Sequence, residues 1–207
     1  MRIVSVLSQK GGAGKSTTAI HLAVFFGPDT VLVDCDRQES SKKWSDRRTS
    51  DEPGVIGYEA FSGHGAAAIA KMARAQGTQT LIFDGQPRAS ALEVELARMS
   101  DLVVIPFGCT ILDLESVQST FDIVKAAGKP AIAVLTKANT RTREYAEAVE
   151  WVRSQAPNMP ILTLSNLVIY SRSLTTGVAV SEISQSEAGA AGAEIEKLHQ
   201  AVKEMTA

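Results

Sequence analysis

The sequence predicts an α/β fold, a doubly wound and mostly parallel sheet flanked by helices. Three observations carry that expectation. Short apolar runs rich in β-branched residues recur along the 207 residues, as strands buried on both faces do. Helical patterns fill the gaps between them. A glycine-rich loop, Gln9-Lys10-Gly11-Gly12-Ala13-Gly14-Lys15-Ser16-Thr17, directly follows the first run, giving the strand, loop and helix succession in which phosphate is bound.

The elements follow in order. Ile3-Val4-Ser5-Val6-Leu7 is the first strand, and a buried helix runs from near Gly14 through Phe26. Thr30–Asp34 is the second strand, followed by a probable helix that carries Lys42, Lys43, Arg47 and Arg48. Val55–Tyr58 reads as a short extra strand. Helices are expected at about 64–76, 88–99, 111–127, 142–155 and 187–205. Strands are expected at Thr80–Asp84, Leu102–Pro106 and Ala131–Thr136, with a weaker one at Ile161–Thr163. No linker divides the chain, so residues 1–207 are expected to form a single P-loop domain.

Composition narrows the function classes. Hydrophobic residues make up 44% and charged residues 21%, the balance of a soluble globular protein. The formal charge of −2 gives no global field for nucleic acid, so any DNA contact must use a local patch. Cys35 and Cys109 are far apart without metal-ligand spacing and read as small buried fillers in a reducing compartment. No signal peptide and no apolar run of membrane-spanning length is seen, so a cytoplasmic location is expected.

The chemistry gathers at strand ends, where ligands bind in such sheets. In the glycine loop, Gly11, Gly12, Ala13 and Gly14 let backbone N–H groups curl around phosphate oxygens. Lys15 is expected on the β- and γ-phosphates, Ser16 on Mg²⁺, and Thr17 opens the helix. Lys10 is a second cation that these tasks leave over. Asp34-Cys35-Asp36 places two carboxylates after the second strand, one suited to orient an attacking water and the other to support a metal shell. Asp84 ends an apolar strand, as a carboxylate presented to Mg²⁺ does. Thr136-Lys137-Ala138-Asn139 is like the base-reading T-K-x-D of GTPases with Asn for Asp. An amide cannot mimic the carboxylate's acceptor pair, so Lys137 and Asn139 lean to adenine over guanine. Lys42, Lys43, Arg47 and Arg48 read as a solvated helix face, or as a phosphate-contacting patch. Arg141, Arg143 and Arg172 are further basic candidates. Trp44 and Trp151 read as packing residues, and His21, His64 and His199 as structural or surface residues.

The loop, the Asp34-Cys35-Asp36-Arg37-Gln38 run and the stretch Thr176–Glu182 with Gly192-Ala193-Glu194 resemble the ParA/MinD family of deviant Walker A ATPases. The likeness is greatest to short ParA-type partition proteins without an N-terminal helix-turn-helix. It implies catalytic roles for Lys10, Lys15 and Asp36: Lys10 crossing a dimer interface to phosphates of the partner subunit, and Asp36 positioning the hydrolytic water. It implies ATP with Mg²⁺ held through Ser16, Asp36 and Asp84, and an ATP-dependent homodimer. It further implies non-specific DNA binding, with Arg141 and Arg172 as candidate contacts, nucleoid association in the ATP state, and a ParB- or ParG-like activator bound to a centromere or cargo. Arg37 replaces the family's proline, Asp84-Gly85-Gln86-Pro87 is looser than D-x-P-P, and Leu174 stands where relatives place a proline at the adenine. Autoregulatory operator binding is not expected. Two alternatives remain open: a MinD-like membrane-surface ATPase, though the mixed-charge segment Glu194–Lys203 lacks a basic apolar face, and a metabolic ATP-dependent enzyme on the same scaffold.

Overall fold

A computed structural model describes residues 1–87 and 91–207. Seven strands form one sheet: β1 Arg2–Val6, β2 Thr30–Asp34, β3 Gly54–Ile56, β4 Thr80–Asp84, β5 Leu102–Phe107, β6 Ala131–Ala138 and β7 Ile161–Ser165. Their spatial order is β3-β2-β4-β1-β5-β6-β7, and every pairing is parallel. The helices are α1 Lys15–Phe26, α2 Ser40–Ser45, α3 Tyr58–His64, α4 Ala66–Ala75, α5 Ala91–Met99, α6 Ile111–Ala127, α7 Arg143–Gln155, α8 Val168–Thr175 and α9 Gln185–Met205.

The near-continuous hydrophobicity of the strands has a direct cause, because both sheet faces are covered. Ile3, Phe83, Val103 and Leu135 point to one side, against Phe61, Ile69, Leu96 and Val117 of α3 to α6. Val4, Ile82, Val104 and Val134 point to the other, against Ile20 and Leu22 of α1, Trp44 of α2 and Ile195 and Leu198 of α9. Each fully buried side chain of this size stabilises the fold by roughly 1.5–3 kcal/mol. Ser5 is the buried polar residue of β1, and its hydroxyl lies 2.6 Å from that of Ser100.

Register positions the chemistry. β4 lies between β1 and β2, with Val6 opposite Asp84 and Asp34 opposite Asp84. The glycine loop after β1 therefore emerges beside Asp84 at the end of β4, with Asp34 at the end of β2 one strand further on. Several boundaries differ from expectation. Tyr58 opens α3 rather than closing a strand, and the predicted helix at 64–76 is preceded by this separate turn, with Gly65 at φ +77° between them. The start of the predicted helix at 88–99 falls outside the described residues. α8 and a 3-10 turn at Val180–Glu182 occupy a stretch with too short a periodic pattern to announce them. α9 begins two residues early and breaks at Gly189, where φ is +52°.

Candidate functional site

The loop between β1 and α1 adopts a shape that its glycines make possible. Gly12 and Gly14 have φ of +74° and +90°, left-handed geometry that side chains resist. A Cβ on Gly14 would also stand 3.1 Å from the Thr136 methyl. Gly14 begins α1 without any side-chain cap, so the first-turn N–H groups face outward with the positive end of the helix. This is an anion site in waiting. β6 braces it from the side: Thr136 Oγ1 donates to Ala13 O at 2.9 Å, and Lys137 Nζ donates to Gly12 O at 2.9 Å. Lys137 itself sits at φ +52° in a β-bulge between Thr136 and Ala138, which turns its side chain toward the loop.

The two loop lysines differ in surroundings. Lys15 is 7% exposed and donates to Lys10 O at 3.1 Å. Burial lowers its pKa, opposed by the carboxylates of Asp84, Asp36 and Glu93. Lys10 is 39% exposed, and its ammonium meets Asp113 Oδ1 at 2.6 Å. Burial works against the Asp113 charge, but the hydrogen bonds from Lys10 and Thr110 outweigh it and hold its pKa below the usual value.

Behind the loop is a carboxylate pair. Asp34 accepts from the amides of Asp36 (3.1 Å), Ser41 (2.8 Å) and Lys42 (3.1 Å), and so fixes the loop 35–39 and the start of α2. Asp84 Oδ2 accepts from Ser41 Oγ at 2.7 Å, while its buried Oδ1 has no hydrogen bond among the described residues. Burial, with Asp34 nearby, raises the Asp84 pKa to about 7, against the hydroxyls of Ser41 and Ser16 and the Lys15 ammonium. An orphaned carboxylate oxygen beside the Ser16 hydroxyl is the donor set that a hard divalent cation takes. Residues Ser16 and Asp84 therefore fit Mg²⁺. Asp36 lines the same cavity of about 490 Å³, together with Gly11, Gly12, Lys15, Ser16 and Gln38; its Oδ1 accepts from the Gln38 amide at 3.0 Å.

A second cavity of about 220 Å³ shares Gly14, Thr17 and Lys137 with the first, and is walled by Ser165, Asn166, Leu167 and Val168. Asn139 does not line it; its Oδ1 accepts from the Arg141 amide, closing a turn as Asn side chains often do. The wall is set by Glu194 of α9, which accepts from Ser165 N (2.9 Å), Ser165 Oγ (2.5 Å) and Tyr170 Oη (2.7 Å). Burial and this carboxylate push the Tyr170 phenol far up. Ser41, Asp113 and the Ser165–Asn166–Leu167 wall carry no local motif, so the sequence did not mark them.

Of the basic candidates, Arg141, Arg143 and Arg172 are exposed, as a polyanion contact requires. Arg48 is different from expectation. Its guanidinium lies 4.5 Å over the Trp44 ring and pairs with Glu182 at 2.7 Å, its side chain 4% exposed. It clasps α2 to the 3-10 turn instead of facing solvent. Lys42 pairs with Asp46 one turn on. Cys35 is buried as expected, whereas Cys109 is only half-buried. Trp44 is wholly buried, and Trp151 packs on Phe107 and Phe121. Among the described residues, no helix is long and apolar enough to cross a membrane.

Comparison with known proteins agrees with this geometry. Residues 4–55 match the model of the CobQ/CobB/MinD/ParA nucleotide binding domain. The chain is 29% identical over 157 residues to maintenance of carboxysome distribution protein A from Gloeobacter kilaueensis, covering 74% of this chain and 70% of that protein. It is 24% identical over 167 residues to the chromosome-partitioning ATPase Soj from Thermus thermophilus, covering 65% and 67%. In fold it is similar to an ATP complex of McdA from Cyanothece, with a TM-score of 0.74, 16% identity and coverage of 99% and 96%.

Proposed function

Because residues 4–55 match the CobQ/CobB/MinD/ParA nucleotide binding domain and the chain is similar to positioning and partitioning proteins, we propose that it is a P-loop ATPase of the ParA/MinD type acting as an ATP-driven positioning switch. In this reading it dimerises on ATP, binds DNA non-specifically as the dimer, and is released when a cargo-bound partner stimulates hydrolysis. The observation that carries it is the division between the two loop lysines. Lys15 is buried inside the phosphate cradle, while Lys10 stands at the rim, where one subunit's own phosphates do not require it.

The residues take these roles. Backbone N–H groups of Gly11 to Thr17 hold the phosphates, with Lys15 neutralising the charge that grows on the terminal phosphate. Ser16 and Asp84 would hold Mg²⁺, which neutralises phosphate charge and orients the transferring group. Asp36 orients the attacking water from the cavity wall. Lys137 and the Ser165–Leu167 wall take the base, and Arg141 and Arg172 offer phosphate contacts to DNA. Lys10 supplies positive charge to the nucleotide of a second copy, so that two triphosphates can face each other. Loss of the terminal phosphate removes the reason for the contact, which makes the dimer report on the nucleotide.

Size-exclusion chromatography with light scattering, under ATP and then ADP, tests the switch. A dimer under ATP and a monomer under ADP is the expected result, and a monomer under both rejects it. Binding to arbitrary duplex DNA should appear only with ATP and fall steeply with salt. Asp36→Ala should trap the ATP dimer, and Lys10→Ala should bind nucleotide yet fail to dimerise.

A further inference from the structure

Lys10 is already occupied. Its ammonium is paired 2.6 Å from Asp113 Oδ1 of the same chain, across 103 residues of sequence. The seat of that carboxylate is built rather than incidental. Oδ2 accepts from Thr110 N at 3.1 Å and Thr110 Oγ1 at 2.6 Å, so the capping box that opens α6 also presents Asp113 Oδ1 to Lys10. Gly108 makes the room. Its backbone is not left-handed, so conformation does not demand glycine there; a Cβ at this position would stand 2.8 Å from Asp113 Cγ. The neighbouring residue is gripped in the same way: Gln9 Nε2 donates to Glu93 Oε2 at 3.1 Å, and Glu93 in turn accepts from Thr120 of α6 at 3.1 Å. Both residues by which this loop departs from an ordinary phosphate loop are thus held by acids of α5 and α6.

We propose that Asp113 is a latch on Lys10, holding its ammonium within its own subunit until a second ATP-loaded copy draws it away. The proposal rests on the intersubunit role of Lys10 given above and adds the residue that regulates it. One ammonium close to one carboxylate cannot at the same time serve a distant phosphate. Releasing it leaves a mostly buried carboxylate, 13% exposed, without its counter-charge. A nucleotide bearing the terminal phosphate offsets that loss with its greater negative charge, and one lacking it does so less well. Asp113 therefore raises the threshold for dimerisation and sharpens its dependence on the terminal phosphate. Ile111 and Leu112, 66% and 65% exposed on the same turn of α6, are the apolar surface a second copy would cover as the latch opens.

Asp113→Asn tests this, because the amide oxygen still accepts from Thr110 while the charge is gone. The readout is the dimer dissociation constant of the full chain by analytical ultracentrifugation, with Mg²⁺ and a non-hydrolysable ATP analogue. A surface ion pair is worth about two- to fivefold and this partly buried one at least as much, so two freed lysines should tighten the dimer by about four- to 25-fold or more. The gap between variant and native chain should shrink at high salt. Gly108→Ala, which displaces the carboxylate without altering any charge, should tighten the dimer in the same direction and serves if the first variant folds poorly. A native chain that dimerises normally, with both variants unchanged or weaker, overturns the latch alone. A native chain that stays monomeric with the analogue overturns the switch itself, and the latch with it.

Discussion

The glycine-loop end of this site and the second cavity, to which the base is assigned above, are built in different ways. At the phosphate end, one short run of sequence does most of the work: glycines at φ +74° and +90° shape the loop, and Lys15 lies within it. At the base end, no run does. Ser165 ends β7, Tyr170 lies in α8, and both are fixed by Glu194 of α9, 29 and 24 residues further on. The loop is a motif because its contacts are local. The base cavity is a tertiary product, and its parts are chemically ordinary when read one at a time.

The largest expected effect lies at the phosphate end. Lys15→Ala removes a nearly buried charge that faces the phosphates, which should cost about 2–5 kcal/mol of nucleotide binding. Isothermal titration with ATP and with inorganic triphosphate should show the same loss for both ligands.

His21 joins the two ends, and its titration should break them together. Its Nδ1 donates to Thr17 O at 2.7 Å, and its ring lies edge-on to Tyr170 at 5.4 Å. Burial lowers its pKa to about 4, below the ordinary 6.5 or so of an unfolded chain. The folded state then binds fewer protons than the unfolded state between those values. Its contribution to stability is complete above about pH 6.5 and is lost as pH falls toward 4, on the order of 3 kcal/mol in all. Urea unfolding at pH 7 and pH 4.5 should show this loss in the native chain and a much smaller one in His21→Leu.

Glu194→Gln should have a smaller and more selective effect. The new amide N–H₂ group would face donors, at a cost of about 1–3 kcal/mol. ATP affinity should fall about fivefold or more, while inorganic triphosphate binds as before. Equal losses for both ligands would show that the two ends are not separately built. The smallest effect belongs to Thr110→Ala, which removes the α6 cap and should lower stability by about 1 kcal/mol, as thermal melting would record.

What could be read in the sequence follows the same division. The parallel sheet, the glycine loop and the strand-end aspartates were legible, because runs such as Thr80–Asp84 are buried on both faces and show it. Asp84 was legible as a strand-end carboxylate, but its fastening by Ser41 was not, since the two lie 43 residues apart. Asn139 carried a base-reading pattern, yet its side chain closes its own turn, a local option that pattern alone cannot weigh. Arg48 looked like a surface cation because its partner Glu182 is 134 residues away. α8 was missed because a helix of eight residues gives too few periods to be recognised.

The hold of Glu194 on the base cavity has a consequence for the order in which the protein comes into being. A ribosome delivers the glycine loop at residues 9–17 well before Glu194. As domains are completed only once their distant parts have emerged, a chain that has reached β6 has the neighbouring strands and the Thr136 and Lys137 braces of the glycine loop, but not the carboxylate that sets the wall of the second cavity. Within the proposed function, capture of the base then waits on α9.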